Sequence, residues 1–439
     1  MKVIYENSNL RRIKEQDYFP SKTYVKSIYI KALDIKDGLL VYNSLTSEFI
    51  LTTKDEFDNP TPSDKKWLCN HWFYFEESLD PKSVAHIVRN FIAEKPKAGS
   101  NFVVLTTSVC NARCYYCFES EFRQFPMSDK IALDTAKYLV QNAKNNQVRI
   151  TWFGGEPLCN PKAMKIITDH LIKCNVNYRT SMISNGYLFD KFSMEEIKEQ
   201  WKMNMVQITL DGTKEIYQQS KNYKNEDPNA YERVLNNIEY LLKNDITVTI
   251  RLNVSLNNGE DLIALIHELY DRFSKYEKFK IYPNELFIGA GNPPLELTEV
   301  ESEQLFQSVI KIYDLLSGLN ILSRGIDIIN YASNHCMADT GTCKVITPDG
   351  LLSPCEHYVD DSHSCGNIYD GVQNYDELLT WKEFMKTLPE CDSCYYYPKC
   401  MKIKRCPTDN ICKEPQRKLM DFRVELEMLK IYNNWKLQQ

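Results

Sequence analysis

Short runs of hydrophobic and β-branched residues recur through the middle of the chain, and amphipathic segments separate them. The runs predict six strands, at residues 102–107, 148–153, 179–184, 205–210, 247–254 and 278–287. Helical patterns between them include residues 128–144, 162–173 and 231–243. Such repeats indicate an α/β fold with a parallel sheet, either doubly wound or curled into an open barrel. In both cases ligands bind at the carboxyl ends of the strands.

The first hundred residues have a different pattern. Alternating segments at residues 24–33, 39–42 and 48–52 predict strands, with a turn at Lys36-Asp37-Gly38. Helices follow, one capped by Ser63 or Asp64 and one opened by Pro81. We therefore expect domains at 1–100 and 101–290, a helical bridging region at 291–335, a cysteine-rich domain at 336–415 and a C-terminal helix at 416–439.

Composition narrows the function. Lys and Arg number 53 against 59 Asp and Glu, and without a basic stripe we expect no nucleic-acid partner. The polar start and the lack of a long apolar run predict a cytoplasmic protein without a membrane partner. Nine of the 15 cysteines lie between Cys336 and Cys412. In a reducing compartment such clusters hold metal more often than disulfides.

Three further cysteines, Cys110, Cys114 and Cys117, follow the first predicted barrel strand directly. Three thiolates can hold three irons of a four-iron cluster and leave the fourth iron open to a small molecule. A zinc knuckle is the alternative, but structural zinc sites close with four ligands, and the sequence shows no fourth one nearby.

The spacing of these cysteines, with Tyr116 just before the last one, resembles the signature of the radical S-adenosylmethionine (SAM) enzymes. In that family SAM chelates the open iron, and its reductive cleavage gives a 5′-deoxyadenosyl radical that abstracts hydrogen. The resemblance covers about residues 102–290 and implies a partial (β/α)6 barrel.

Other segments resemble further motifs of the family. Gly154-Gly155-Glu156-Pro157 looks like its GGEP motif, in which the glycines admit the SAM amino group and Glu156 accepts a hydrogen bond from it. An ordinary strand-to-helix turn is the alternative. The resemblance also implies that Tyr116 lies near the adenine of SAM. Further SAM contacts would come from Ser184, Asn185, Asp211, Arg251 and Asn253.

The C-terminal cysteines resemble the SPASM extension, which carries two auxiliary 4Fe-4S clusters. By position, one cluster would be held by Cys336, Cys343, Cys355 and Cys406, and the other by Cys391, Cys394, Cys400 and Cys412. The family usually has three residues between the cysteines that match Cys400 and Cys406, and here there are five. Cys365 is interpreted as a spare. A structural zinc domain is the alternative, and Cys69, Cys159 and Cys174 are expected to be ordinary buried thiols.

Two features concern the substrate. Glu356 matches the position of an acidic residue in sulfatase-maturing relatives, so Glu356, with His357 beside it, is a candidate catalytic base; a solvated Glu is the alternative. The N-terminal region resembles a winged-helix-like module that recognises the leader of a ribosomally made peptide by strand addition. A structural cap is the alternative.

Over its whole length the chain resembles radical SAM cyclases that join a Lys β-carbon to a Trp indole carbon in a precursor peptide. The resemblance implies an oxidoreductase that uses SAM, three 4Fe-4S clusters and a flavodoxin- or ferredoxin-type electron donor. Sulfatase-maturing, thioether-forming and epimerising enzymes remain alternatives within the family. A zinc-binding scaffold without catalysis is the alternative outside it.

Overall fold

The computed structural model describes residues 1–7, 16–94, 100–120, 123–286, 297–323, 328–329, 338, 344–359, 361–381, 389–400, 406, 412 and 414–439. The N-terminal module in this part of the chain is built on two small antiparallel sheets. Its strands are β1 (Lys2–Tyr5), β2 (Tyr24–Lys26), β3 (Ile30–Ile35), β4 (Gly38–Asn43), β5 (Glu48–Thr52) and β6 (Tyr74–Glu76). Its helices are α1 (Lys54–Asp58), α2 (Pro62–Asn70) and α3 (Pro81–Glu94). The larger sheet has the order β1-β5-β4-β3, and β2 pairs with β6.

Two local predictions for this module are wrong. The single strand expected at 24–33 is two strands, because β2 pairs with β6 and β3 pairs with β4. Helix α2 is capped by Thr61, whose hydroxyl accepts a hydrogen bond from the Asp64 N–H. Pro62 fixes the first helical residue, so the cap lies before Ser63 and Asp64.

The middle of the chain forms six parallel strands whose neighbours in the sheet are also neighbours in sequence. Crossovers between parallel strands are right-handed as a rule, so an order without reversal places the helices on one face and curls the sheet into an open barrel. A doubly wound sheet would reverse its order. The strands are β7 (Asn101–Thr107), β8 (Gln147–Gly154), β9 (Asn177–Ser184), β10 (Met203–Leu210), β11 (Thr247–Val254) and β12 (Phe279–Glu285). The helices are α4 (Asp129–Gln141), α5 (Pro161–Lys173), α6 (Lys214–Lys221), α7 (Ala230–Lys243) and α8 (Gly259–Phe273).

The C-terminal part continues the same sheet. Its elements are α9 (Glu299–Gly318), β13 (Val345–Ile346), β14 (Leu351–Ser353), β15 (Gly366–Asn367), β16 (Gly371–Val372), α10 (Tyr375–Thr380) and α11 (Glu414–Leu437). Strand β13 pairs in parallel with β7, and β14 to β16 extend the sheet to ten strands. The expected division at residue 336 thus separates segments that share one sheet.

Helix α11 connects the parts. Val424 and Met428 pack on the outer face of the N-terminal sheet, where Leu40 and Phe49 lie. Lys31 of β3 pairs with Glu425 at 2.7 Å, and Arg423 donates to the Tyr313 hydroxyl of α9 at 2.5 Å. Within the described ranges, every helix is too short or too polar to cross a bilayer.

Candidate active site

The loop that carries Cys110, Cys114 and Cys117 leaves the carboxyl end of β7 and is fixed on three sides. The Ser108 N–H donates to the Phe125 carbonyl at 3.0 Å, and the Val109 carbonyl accepts from the Glu156 N–H at 3.0 Å. On the far side the Arg113 N–H donates to the Lys221 carbonyl at 3.0 Å. The loop is therefore held by the segments after β8 and α6.

The three thiols of this loop converge. Cys114 interacts electrostatically with both Cys110 and Cys117. Burial raises the pKa of all three thiols, that of Cys117 to about 11. A convergent set of buried thiols fits the ligands of an iron–sulfur cluster, since bound metal deprotonates them. Cys159, expected to be an ordinary buried thiol, is exposed and interacts electrostatically with Cys110, so that prediction is wrong.

The glycines of the 154–157 segment let β8 approach the cysteine loop. Gly154 has a φ of +109°, and a Cβ there would lie 2.0 Å from the Thr107 carbonyl oxygen. A Cβ on Gly155 would lie 2.6 Å from the Val109 carbonyl oxygen. Pro157 then begins a single helical turn. In this structure the two glycines thus make room for the cysteine loop.

Glu156 is fully buried, with 0% of its side chain exposed. Its carboxylate accepts hydrogen bonds from the Ser184 hydroxyl at 3.0 Å and the Asn185 N–H at 2.8 Å. Asn185 in turn donates to the Asn111 side chain at 2.7 Å. Burial raises the pKa of Glu156 to about 7. The structure therefore uses Glu156 to position Ser184 and Asn185 beside the cysteine loop, a role that the sequence did not predict.

Asp211 follows β10 at the barrel mouth, and its carboxylate contacts three side chains. It accepts from the Tyr116 hydroxyl at 2.8 Å and from the Asn253 side chain at 2.9 Å. The Lys221 ammonium lies 3.0 Å from it, and both charged groups are almost fully buried. Tyr116, expected at the adenine, thus points its hydroxyl at Asp211.

Tyr116, Asp211 and Asn253 are thus joined by hydrogen bonds, and this polar line of side chains continues from Asn253 to the C-terminal region. Arg251 donates to the Asn253 side-chain oxygen at 3.0 Å and interacts electrostatically with Glu356 and His357. The His357 ring lies 4.1 Å from the ring of Phe118 in the segment after Cys117. Burial raises the pKa of Glu356 and lowers that of His357 to about 4. One Glu356 carboxylate oxygen is buried without a hydrogen-bond partner in the described part of the chain, which disfavours the alternative of a solvated Glu.

Sequence reasoning missed two ionisable residues of this site. Lys221 lies at the end of α6 and donates to the Tyr116 hydroxyl at 2.8 Å. Glu119, two residues after Cys117, is only 4% exposed, and burial raises its pKa to about 8. Neither has a sequence signal, because an isolated Lys or Glu near a helix end or in a loop is usually solvated.

The expected ligands of the first auxiliary cluster are described in part. Cys355 and Cys406 lie in one apolar group with Trp381. Cys336 and Cys343 lie outside the described residues. Cys365 is fully buried in the barrel core instead, away from that group.

The ligands expected for the second auxiliary cluster come together. The Cys394 thiol interacts electrostatically with the thiols of Cys391, Cys400 and Cys412, and burial raises its pKa to about 11. Four convergent thiols fit a 4Fe-4S cluster by their chemistry. Of the remaining cysteines, Cys69 is buried as expected, whereas Cys174 is exposed, so its prediction is wrong.

These features define a class of protein. An open parallel barrel carries a three-cysteine loop at the carboxyl end of its first strand, and polar groups from the next four strands line the same mouth. Such a site is suited to a metal cluster with one position free for a ligand.

Comparison with known proteins finds a family model that matches part of the chain. Residues 104–269 match the model of the radical SAM superfamily. The chain is 25% identical over 338 residues to the cysteine-type anaerobic sulfatase-maturating enzyme of Clostridium novyi (strain NT), covering 69% of this chain and 87% of that protein. The matched segment carries the three-cysteine loop and the 154–157 segment, and this part of the chain is similar to radical SAM enzymes in sequence.

Two solved structures are similar in fold. The anSMEcpe structure with bound AdoMet and the Cp18Cys peptide has a TM-score of 0.58 and 19% identity, over 77% of this chain and 99% of that one. Streptococcus suis SuiB bound to the precursor peptide SuiA has a TM-score of 0.51 and 14% identity, over 90% of this chain and 99% of that one.

Proposed function

We propose that this protein is a radical SAM peptide maturase that joins a Lys β-carbon to a Trp indole carbon within a ribosomally made precursor peptide. The observation that carries the proposal is the polar line from Tyr116 through Asp211, Asn253 and Arg251 to Glu356. It connects the three-thiol loop to a buried carboxyl group across one barrel mouth. The choice of Lys and Trp rests on the whole-length resemblance to the streptide-forming cyclase of streptococci.

The residues at the mouth have distinct roles in this proposal. Cys110, Cys114 and Cys117 would hold the cluster that binds SAM. When bound, SAM supplies a 5′-deoxyadenosyl radical that removes one hydrogen from the Lys β-carbon. Lys221 brings a buried positive charge to the mouth, where it can attract the SAM carboxylate. Ser184 and Asn185, fixed by Glu156, present polar groups to the same ligand.

Glu356 is the proposed base. Closing the crosslink removes a second hydrogen, which leaves the indole as a proton and an electron. Burial raises the pKa of the Glu356 carboxyl, so its carboxylate takes up a proton more readily than an ordinary one, while the positive charge of Arg251 opposes that rise. The C-terminal thiol groups at Cys355 and Cys406 and at Cys391, Cys394, Cys400 and Cys412 would hold auxiliary clusters that can accept the electron.

The N-terminal module offers a strand edge for the leader peptide. The Ser44 N–H donates to the Tyr29 carbonyl at 2.9 Å, which makes residues 29 and 44 a hydrogen-bonded pair. Bonded pairs alternate along an antiparallel ladder, so Ala32 and Asp34 turn their backbone groups to the other side of β3. The described residues place no strand on that side. An extended peptide can add there by backbone hydrogen bonds.

Substitution of Ala32 tests the leader site. Ala32→Pro removes the outward N–H without removing a ladder hydrogen bond, so leader affinity should fall by about tenfold or more. Fluorescence anisotropy with a labelled leader peptide measures it. Lys54→Pro is the matched control, because the first position of helix α1 tolerates Pro. Equal affinities for both variants and the unmodified protein would reject β3 as the leader site.

Oxidation of Cys or Ser to formylglycine is the second candidate function, because the relative in Clostridium novyi is a cysteine-type anaerobic sulfatase-maturating enzyme. The anSMEcpe chain is covered over 99% of its length, while 23% of the present chain lies outside the superposition. A formylglycine-forming enzyme does not require a leader-binding module, which favours the cyclase. Incubation with a sulfatase-derived Cys peptide decides between them: formylglycine in its mass spectrum would support the second candidate.

A further inference from the structure

The N-terminal module packs against the loop that carries the second set of C-terminal thiols. Cys391 and Cys394 pack on a core group of the module that includes Tyr29 and Trp72. Cys394 and Cys400 pack on a second group, formed by the sheet residues Leu40, Tyr42 and Phe49. The module therefore encloses three of the four thiols from two sides.

One face of helix α3 holds the backbone of this loop. Lys82, His86 and Arg89 are spaced by one helical turn and lie on the same face. Lys82 pairs with Asp392 at 2.5 Å, and the His86 ring meets the Tyr397 ring edge-on. These contacts surround the position of Arg89.

Arg89 makes the most buried of these contacts. Its guanidinium donates to the carbonyls of Tyr397, at 2.8 Å, and of Cys400, and it stacks on the Tyr397 ring at 4.4 Å. Only 6% of Arg89 is exposed. A full positive charge is thus buried in direct contact with the backbone of a thiol ligand.

Tyr29 brings a second polar group to the same place. The residue is fully buried, and its hydroxyl has no hydrogen-bond partner in the described part of the chain. It interacts electrostatically with Cys394. A buried hydroxyl without an acceptor is unfavourable, and a thiolate or sulfide of a bound cluster would supply the acceptor.

We propose that Tyr29 and Arg89 are outer-sphere partners of the metal centre held by Cys391, Cys394, Cys400 and Cys412, and that they raise its reduction potential. The inference rests on the auxiliary-cluster assignment of the proposed function. Reduction adds one negative charge to a four-thiolate cluster. A nearby cation and a donor to sulfur stabilise the reduced form, so the module that would bind the leader also sets the redox properties of this centre.

The test is an anaerobic redox titration of the full-length, cluster-loaded protein, followed by electron paramagnetic resonance. The signal of this centre is the one that Cys394→Ala removes. At the midpoint potential of the unmodified protein, Arg89→Gln should lower the reduced-to-oxidised ratio about tenfold, which equals about 59 mV for a one-electron couple. Tyr29→Phe, which deletes one oxygen atom, should lower it about threefold.

Three further variants complete the design. Arg89→Lys should restore part of the potential, because it keeps the charge. Lys26→Gln and Tyr24→Phe change an exposed ion pair with Asp58 and a remote tyrosine of the same module, and should leave the midpoint unchanged. Circular dichroism and iron content show that each variant is folded and loaded.

The titrations distinguish the outer-sphere role of Tyr29 and Arg89 from the assignment of the cluster itself. If Cys394→Ala lowers the iron content but the Arg89→Gln and Tyr29→Phe midpoints equal that of the unmodified protein, the outer-sphere role is overturned and the cluster assignment stands. If Cys394→Ala retains all iron and every signal, the cluster assignment itself fails.

Discussion

At the scale of single residues, the barrel mouth is notable for charged groups taken out of water. Asp211 and Lys221 are each less than 5% exposed and lie 3.0 Å apart. Desolvation makes such a pair costly, so a protein retains it where the fixed charges serve a ligand. Tyr116 and Asn253 complete the hydrogen bonds of Asp211 and hold it in one orientation. The mouth therefore presents a preorganised polar surface beside the thiol loop.

The role of Glu356 leads to the first residue-scale prediction. Glu356→Gln keeps the size of the side chain but removes the base, so crosslinked product should fall about 100-fold or more. Formation of 5′-deoxyadenosine should continue, because hydrogen abstraction precedes loss of the indole proton. Quantitative mass spectrometry of both products measures the split. Asp376→Asn, on the exposed face of α10, is the control, and equal loss of both products in Glu356→Gln would contradict the role of a base.

The buried carboxyl of Glu119 predicts a pH dependence of stability. Its pKa is raised by burial from 4.5 to about 8, so between these values the folded state keeps a proton that the unfolded state releases. The contribution of Glu119 to the free energy of unfolding is fully present below pH 4.5, and it is lost as the pH rises through 8. Glu119→Gln should therefore gain roughly 4 kcal/mol at pH 8 and almost nothing at pH 4.5.

Urea unfolding at both pH values measures this difference. The exposed Glu299→Gln variant is the control and should follow the unmodified protein at each pH. A Glu119→Gln variant with the same pH profile as the unmodified protein would show that Glu119 is ionised in the folded state.

At the scale of elements, sequence periodicity located the barrel well. All six predicted parallel strands lie within two residues of the observed bounds at each end, because apolar residues recur along each strand at positions that the fold buries. The wrong strand prediction, at 24–33 in the N-terminal module, includes the short strand β2, whose partner strand β6 begins 48 residues after β2 ends. Choice of partner depends on tertiary packing, which a local pattern does not contain.

The site was predictable only where a motif is local. The 110–117 cysteine loop and the 154–157 segment are each contiguous in sequence, and both lie at the carboxyl ends of their strands, β7 and β8, where the sequence predicts them. The ion pair of Lys221 with Asp211 joins the end of helix α6 to the residue after β10, and the approach of Arg251 to Glu356 joins β11 to the segment after β14. The folded arrangement of these elements brings the residues together, and no local spacing in the sequence indicates it.

The close contact between β8 and the cysteine loop gives the element-scale prediction. Gly155→Ala would push a methyl group to within 2.7 Å of the Ser108 and Val109 carbonyl oxygens. We expect a destabilisation of about 1–3 kcal/mol and loss of about four irons from the barrel site. Thermal unfolding and iron assays measure both. Gly318→Ala is the control, because a Cβ there meets no atom within 4 Å, and a similar loss of iron in it would refute the explanation.

At the scale of the whole molecule, the protein is built around a shared sheet. Strand β13 continues the barrel sheet beside β7, and α11 fixes the N-terminal sheet to α9. The segments that carry the thiol groups therefore belong to parts of the chain that pack directly on one another.

The cysteine arrangement makes a prediction about metal content. Loaded protein should contain roughly 12 iron atoms for three 4Fe-4S clusters. Cys406→Ala should lose about four of them, because Cys406 shares an apolar group with Cys355. Cys365→Ala, in the barrel core, should lose none. The reverse pattern would assign Cys365 as the ligand and contradict the description given for Cys406.

The most direct test of the central claim is mass spectrometry of an anaerobic reaction. The reaction contains cluster-loaded protein, SAM, a reductant and a leader-bearing precursor peptide with Lys and Trp in its core. We predict 5′-deoxyadenosine together with a peptide that has lost two hydrogens and resists fragmentation between Lys and Trp. Formation of 5′-deoxyadenosine with an unchanged peptide would contradict the substrate. Absence of 5′-deoxyadenosine from an iron-replete sample would contradict the proposed radical chemistry itself.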